Sequence, residues 1–226
     1  MGTHDGPALV SARTSARKAV AWSVILPPTM VGNDAEAIEA VRRGEVDRYA
    51  ELVNRYQQTA LKVAFSLLRN YEDAKDASQE AFVSAYRSLG RFRGGAQFST
   101  WLYRIVVKEC KDVYKRRARQ PVVVATVGPA DPEADGLCLF VEVDDPAASP
   151  SDQLANRELA RKLSAAIGTL PMTQRTAFLL HHVHGLPLDD VAAVMGCRIG
   201  TVKSHLFRAT ERLRNHLTPW VKEEGI

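Results

Sequence analysis

The chain is 226 residues long, enough for one large or two small domains, with 46% hydrophobic residues to fill their cores and a net charge of only +4. Cys110, Cys138 and Cys197 are isolated and odd in number, which argues against a disulfide framework or a cysteine zinc site and fits a reducing cytoplasm. No apolar run approaches the ~20 residues that span a bilayer, so direct membrane insertion is not expected.

Residues 1–33 are rich in Gly, Ala, Ser and Thr without sustained periodicity and read as a poorly ordered extension. Within them AVAWSVIL (residues 19–26) follows Arg13, Arg17 and Lys18, which resembles a secretion signal. Pro27 and Pro28 come next, without a small-residue cleavage pattern, so it is not read as one. Met30 is an alternative start.

From Asp34 the pattern is helical. Asp34 is placed as the N-cap of a first helix that Gly44 ends. Residues 47–69 repeat apolar positions at Leu52, Val53, Tyr56, Val63, Ala64 and Leu67, a core helix that stops at Asn70. The next helix buries Ala74, Ala77, Ala81, Phe82, Ala85 and Leu89 and turns Asp73, Asp76 and Glu80 outward. Carboxylates so spaced could bind a metal or act as acid and base, but no histidine or further carboxylate accompanies them. An acidic face that docks a basic partner, or plain solvation, are the readings left open.

A loop, Gly90–Gln97, leads into a helix capped by Ser99 or Thr100 and ending near Arg119, before Pro121. One face of that helix is apolar, through Leu102, Ile105, Val106 and Val113. Another carries Arg104, Lys108, Lys111 and Lys115 in a stripe, with Glu109 and Asp112 lying off it. A solvated charged face is the plain alternative. Against it stand the absence of interleaved acids along the stripe and the aromatics Phe92, Phe98 and Trp101 at its entrance. Cations beside stacking rings suit single-stranded or locally opened nucleic acid.

The charge then reverses. Residues 103–119 hold seven Lys or Arg against two acids, whereas residues 121–152 hold seven acids and no Lys or Arg. With its Pro, Gly and Ala, the segment 120–152 reads as an acidic flexible linker. Helices resume over 153–168, 172–184, Leu188–Met195 and Ile199–Leu217. The last two, joined across Gly196, Cys197 and Arg198, form a helix-turn-helix. Its seam is Val191, Ala192, Met195, Ile199, Val202, Leu206 and Leu213, and its outer side carries Gly200, Lys203, Ser204, Phe207 and Arg208. Such side chains can reach base edges and phosphates in a major groove, with an ordinary charged hairpin as the alternative. His181 and His184 are three apart on one helix, but the segment reads as core-facing, so no metal or cofactor is expected.

Two stretches together resemble a known family. DAKDASQEAF with FRGGAQFSTWLYRIVVKECKDVYKRR looks like the second conserved region of bacterial RNA polymerase sigma factors, and residues 170–214 look like their fourth. With only a linker between them, the chain resembles the extracytoplasmic-function (ECF) class over residues 35–118 and 153–217. The resemblance implies an all-α fold of two small helical domains, a region 2 bundle over 34–119 and a region 4 helix-turn-helix over 153–218. The linker 120–152 joins them, and a tail, 219–226, follows.

It also implies a transcription initiation factor that is not itself an enzyme. Its partners would be core RNA polymerase and promoter DNA, with an anti-sigma factor as a further candidate, in the cytoplasm. By motif position, Asp73, Asp76, Gln79 and Glu80 would dock on core polymerase. Arg91, Arg93, Gln97, Phe98, Trp101, Arg104, Lys108, Lys111 and Lys115 would capture and open the −10 element. Arg198, Thr201, Lys203, Ser204, His205, Phe207, Arg208 and Arg212 would read the −35 element. Three positions depart from the common pattern: Pro187 where a Ser or Thr cap is frequent, Lys108 for an asparagine, and His205 for an arginine. Two other functions remain to be weighed: a stand-alone helix-turn-helix activator, and an enzyme using the carboxylates or histidines.

Overall fold

A computed structural model describes residues 31–119 and 150–223, and every described element is helical. Of the expected extension 1–33, residues 1–30 lie outside the described residues, as do residues 120–149 of the acidic linker, while residues 31–33 correct the expectation by opening the first helix. Helices α1 (Val31–Arg42), α2 (Tyr49–Leu68), α3 (Tyr71–Ser88) and α4 (Phe98–Arg119) form a first bundle. Helices α5 (Pro150–Gly168), α6 (Met172–Phe178), α7 (Leu188–Met195) and α8 (Ile199–Glu223) form a second. No helix among the described residues is long and apolar enough to cross a membrane.

In the first bundle α2, α3 and α4 pack mutually. Leu52, Val63, Leu67, Leu102 and Val106 are fully buried between them, each contributing roughly 1.5–3 kcal/mol of transfer free energy. Small Ala74, Ala77, Ala81 and Ala85 let α3 approach closely. Asn70 does more than stop α2. Its side chain accepts from the Asp73 N–H at 2.9 Å and caps α3.

Asp34 corrects the expected first cap. It lies inside α1, nearly buried, where it accepts from Tyr56 Oη at 2.5 Å and pairs with Arg55. A carboxylate in that surrounding is worth more as a tie to α2 than as a cap, because its lone pairs have no water to fall back on. Thr100, expected as a cap of α4, is also buried within the helix.

In the second bundle the helix expected over 172–184 is interrupted. After Phe178 the chain widens into a five-residue π-helical turn, Leu179–Val183, closed by His184 N–H on Leu179 O at 2.8 Å. The wider turn carries His184 inward, 7% exposed. Gly196 then turns the chain between α7 and α8 at φ 67°, where a side chain would be strained. Ile199, expected in the seam, is instead 38% exposed at the start of α8.

The two bundles are docked on each other rather than held apart. α4 packs against α7, and α2 against α6 and the π-helical turn, so that the buried apolar residues form one continuous core.

Candidate nucleic-acid interface

The entrance to α4 is an aromatic cluster. Phe92 and Trp101 ring centroids lie 5.1 Å apart, Phe98 and Trp101 5.6 Å, and Phe98 and Tyr56 5.5 Å. Phe98 is 3% exposed, which corrects its placement as a direct DNA contact. It packs against Trp101 and Phe92, which are half-buried. Arg91, Arg93 and Gln97 are exposed on the loop. That loop is tied to the bundle by Arg42, whose guanidinium donates to Phe92 O and to Leu89 O. Sequence reasoning missed Arg42, because a basic residue near a helix C-terminus reads as an ordinary dipole partner.

Of the stripe, Arg104, Lys108 and Lys115 are exposed and Lys111 is half-buried. The expectation that acids stay off the stripe is corrected. Lys108 Nζ donates to Glu109 Oε1 at 2.9 Å and lies 3.4 Å from Asp112, and Lys115 lies 3.6 Å from the same Asp112. Long lysine side chains swing across to carboxylates that a helical projection puts on the neighbouring face. The Glu109 hydrogen bond raises the Lys108 pKa above that of an ordinary ammonium, so the charge is held on it. Arg104 sits beside the helix-turn-helix, its guanidinium 3.9 Å from where a side chain at Gly196 would begin.

On α3, Asp76, Gln79 and Glu80 are exposed together. Asp73 is drawn away from that face into an ion pair with Arg117 at the end of α4. Val83 and Tyr86, 41% and 40% exposed, continue the face at helical spacing. These two apolar residues were not singled out from sequence. The signal was present, since Val83 interrupts an otherwise small and polar outer side of α3. Beside Tyr86, an open cavity of about 440 Å³ is lined by Val46, Asp47, Tyr49, Ala50, Val53 and Asn54.

The outward side of α8 is free of the rest of the fold. Arg198, Thr201, Lys203, Ser204, Arg208 and Arg212 are exposed, and Phe207 is 70% exposed, an unusual place for a phenyl ring unless something covers it. Ser204 Oγ donates to Gly200 O at 2.9 Å, which leaves its lone pairs for an outside donor. His205 is half-buried, and among the described residues no group bonds its Nδ1. A Cβ on Gly200 would meet nothing within 4 Å, so the fold itself gives no reason for glycine there. Around His181 and His184, as elsewhere among the described residues, no group of three or more possible metal ligands is gathered, and His181 Nδ1 lies 2.9 Å from Leu186 O.

Comparison with known proteins matches both halves. Residues 52–120 fit the family model for Sigma-70 region 2, and residues 160–213 that for Sigma-70, region 4. The RNA polymerase sigma-H factor of Pseudomonas aeruginosa is 36% identical over 190 residues, covering 84% of this chain and 96% of that one. The ECF RNA polymerase sigma-E factor of Escherichia coli K12 is 34% identical over 194 residues, covering 84% and 96%. Among solved structures, CnrH in complex with the cytosolic domain of CnrY superposes with a TM-score of 0.56 at 22% identity, over 83% of this chain and 96% of that one. The sigma factor RpoE of Bartonella quintana, in complex with the anti-sigma factor NepR, gives 0.50 at 25% identity, over 71% and 91%.

Proposed function

The chain belongs to the ECF class of RNA polymerase sigma factors, and on that premise we propose how its surfaces divide the work. It binds core RNA polymerase and directs it to promoters. The α3 face, Asp76, Gln79 and Glu80 with Val83 and Tyr86, docks on the polymerase, acids steering the encounter and the apolar pair anchoring it. Asp73 supports that face by holding α3 against α4. Trp101 and Phe92 receive an unstacked base of the −10 element while Arg91, Arg93, Gln97, Arg104, Lys108, Lys111 and Lys115 hold its backbone. The α8 side reads duplex −35 DNA. Lys203, Ser204 and Arg208 face base edges, Phe207 meets a thymine methyl, and Arg198, Thr201, His205 and Arg212 flank them. The factor works in the cytoplasm, where its polymerase is. It contributes no catalytic group, since the polymerase carries out the bond-making chemistry.

The observation that carries this reading is the coexistence of two unlike DNA surfaces in one chain: rings beside cations on α4, and an uncovered polar helix face with an exposed phenyl on α8. A stand-alone activator would need only the second. The solved structures with anti-sigma partners support a protein antagonist for this chain too, and the acidic linker is suited to polymerase channels that otherwise hold nucleic acid. Run-off transcription with purified core polymerase on fragments of the source genome tests the reading. Specific start sites that appear only when the chain is added are expected. Site-specific DNA binding without polymerase, and no transcripts with it, would sink the reading in favour of the activator.

A further inference from the structure

Helix α1 reaches the aromatic cluster at the entrance of α4 from both of its ends. It precedes residues 52–120, which fit the Sigma-70 region 2 model, so that match gives it no part in DNA recognition. Near its start, Asp34 accepts from Tyr56 Oη, and the Tyr56 ring lies 5.5 Å from Phe98. At its end, Arg42 donates outside its own helix. Its Nη2 bonds Phe92 O and, at 3.3 Å, Leu89 O, while Nη1 donates to Glu39 one turn back. The two rings placed in this way, Phe92 and Phe98, meet edge to face with centroids 6.0 Å apart at 87°, and Trp101 packs on both.

The loop beyond Phe92 has little of its own to fix it. Gly94 turns at φ 70°, and a Cβ built on Gly90, Gly94 or Gly95 meets nothing within 4 Å. The Phe92 peptide is where the chain passes from packed bundle to open loop, and a forked cation clamps it there. A planar guanidinium can serve two carbonyls and a carboxylate at once, whereas a lysine ammonium is a point charge on a flexible stem. We propose that Arg42 is a positioning residue for the −10 element: by fixing the Phe92 backbone it sets how strictly the unstacked base is chosen. Stacking on a ring accepts any base, since every base has a π-face. Choosing among bases needs hydrogen-bonding groups held at a fixed distance from that ring. Arg91 and Arg93 are the chain neighbours of Phe92, so a shift of its peptide moves the ring and those groups together. The role in base choice rests on the sigma-factor reading, whereas the clamp on Phe92 does not.

Holoenzyme assembled from core polymerase and the full chain tests this, on a promoter found by run-off transcription and randomised across its −10 element. In Arg42→Ala, preference at the most selective −10 position should fall at least fivefold, with −35 duplex affinity and the salt slope kept. Arg42→Lys keeps the charge but loses the fork, so it should fall at least threefold. Full preference in Arg42→Lys, or unchanged preference in Arg42→Ala, would overturn the proposal. A salt slope lowered by about one in Arg42→Ala would also overturn it, by making Arg42 a phosphate contact. In the free chain, Trp22→Phe with Trp220→Phe leaves Trp101 as the single tryptophan reporter. Its quenching by acrylamide should at least double in Arg42→Ala with helicity by circular dichroism retained, and equal quenching would overturn the clamp. Arg42→Lys carries the same readouts if Arg42→Ala does not fold. If the parent holoenzyme opens no promoter, the proposed function falls, while Trp101 quenching still judges the clamp.

Discussion

His184 Nε2 lies 3.2 Å from the hydroxyl of Ser66, joining the π-helical turn of the second bundle to the middle of the first. Ser66 donates its own proton to Val63 O at 2.7 Å, so the contact is served by an Nε2–H that donates to Ser66 Oγ. Burial first, and the nearby Lys62 second, pull the His184 pKa down to about 4, so the imidazole is neutral in the folded chain.

That sets a pH dependence. With a folded pKa below the unfolded value of about 6.5, the unfolded chain binds more protons at mildly acidic pH. The His184 contribution is therefore complete above about pH 6.5 and is lost as pH falls towards 4, by an amount on the order of 3 kcal/mol. Urea midpoints measured from pH 7.5 to pH 4.5 should drop in the parent and drop distinctly less in His184→Gln. Parallel curves would show that another group titrates.

Gly200 separates stability from recognition. Because nothing lies within 4 Å of a Cβ built there, Gly200→Ala should stabilise α8 by roughly 0.5–1 kcal/mol. The same methyl should weaken binding to a −35 duplex several-fold, since it keeps the backbone from approaching. Thermal melting and duplex affinity should move in opposite directions. A stabilised variant with unchanged affinity would show that DNA does not come close at this position.

On α3, reversing Asp76 and Glu80 to Lys, or Val83→Asp, should reduce holoenzyme assembly at least tenfold while leaving the melting temperature nearly unchanged, because these groups are exposed. Asp73→Ala should do the opposite, lowering stability by up to about 1 kcal/mol through its lost pairing with Arg117 and leaving assembly mostly intact. Competition for core polymerase measures the first effect and calorimetry the second.

Asp112 stands between two stripe cations, 3.4 Å from Lys108 and 3.6 Å from Lys115. Asp112→Asn should release Lys115 for a phosphate and leave Lys108 held by Glu109 alone, so open complexes persist to higher salt. Lys115→Ala should lower the slope of log affinity against log salt by about one and keep base preference. Slopes that stay fixed in both variants would place the phosphate path elsewhere.

Much of this protein is legible in one dimension. Hydrophobic spacing located the helices, since residues such as Leu52, Val63, Leu102, Val106 and Val202 are buried by the helix they belong to, whatever packs against it. Two motifs in order carried the family. The outward residues of α8 were readable for the same reason, because an amphipathic helix shows both of its faces in its sequence.

What tertiary structure alone decided are pairings between distant residues. Asp34 looked like a cap until Arg55 and Tyr56 closed on it; Asp73 looked like part of a docking face until Arg117 reached it; Phe98 looked like a base contact until Tyr56 and Trp101 packed around it. The reach of Arg42 from α1 to Leu89 O and Phe92 O was likewise hidden. Local periodicity reports only whether a side chain turns inward. Which group meets it depends on how separate helices cross, and a charge or ring takes its role from that neighbour.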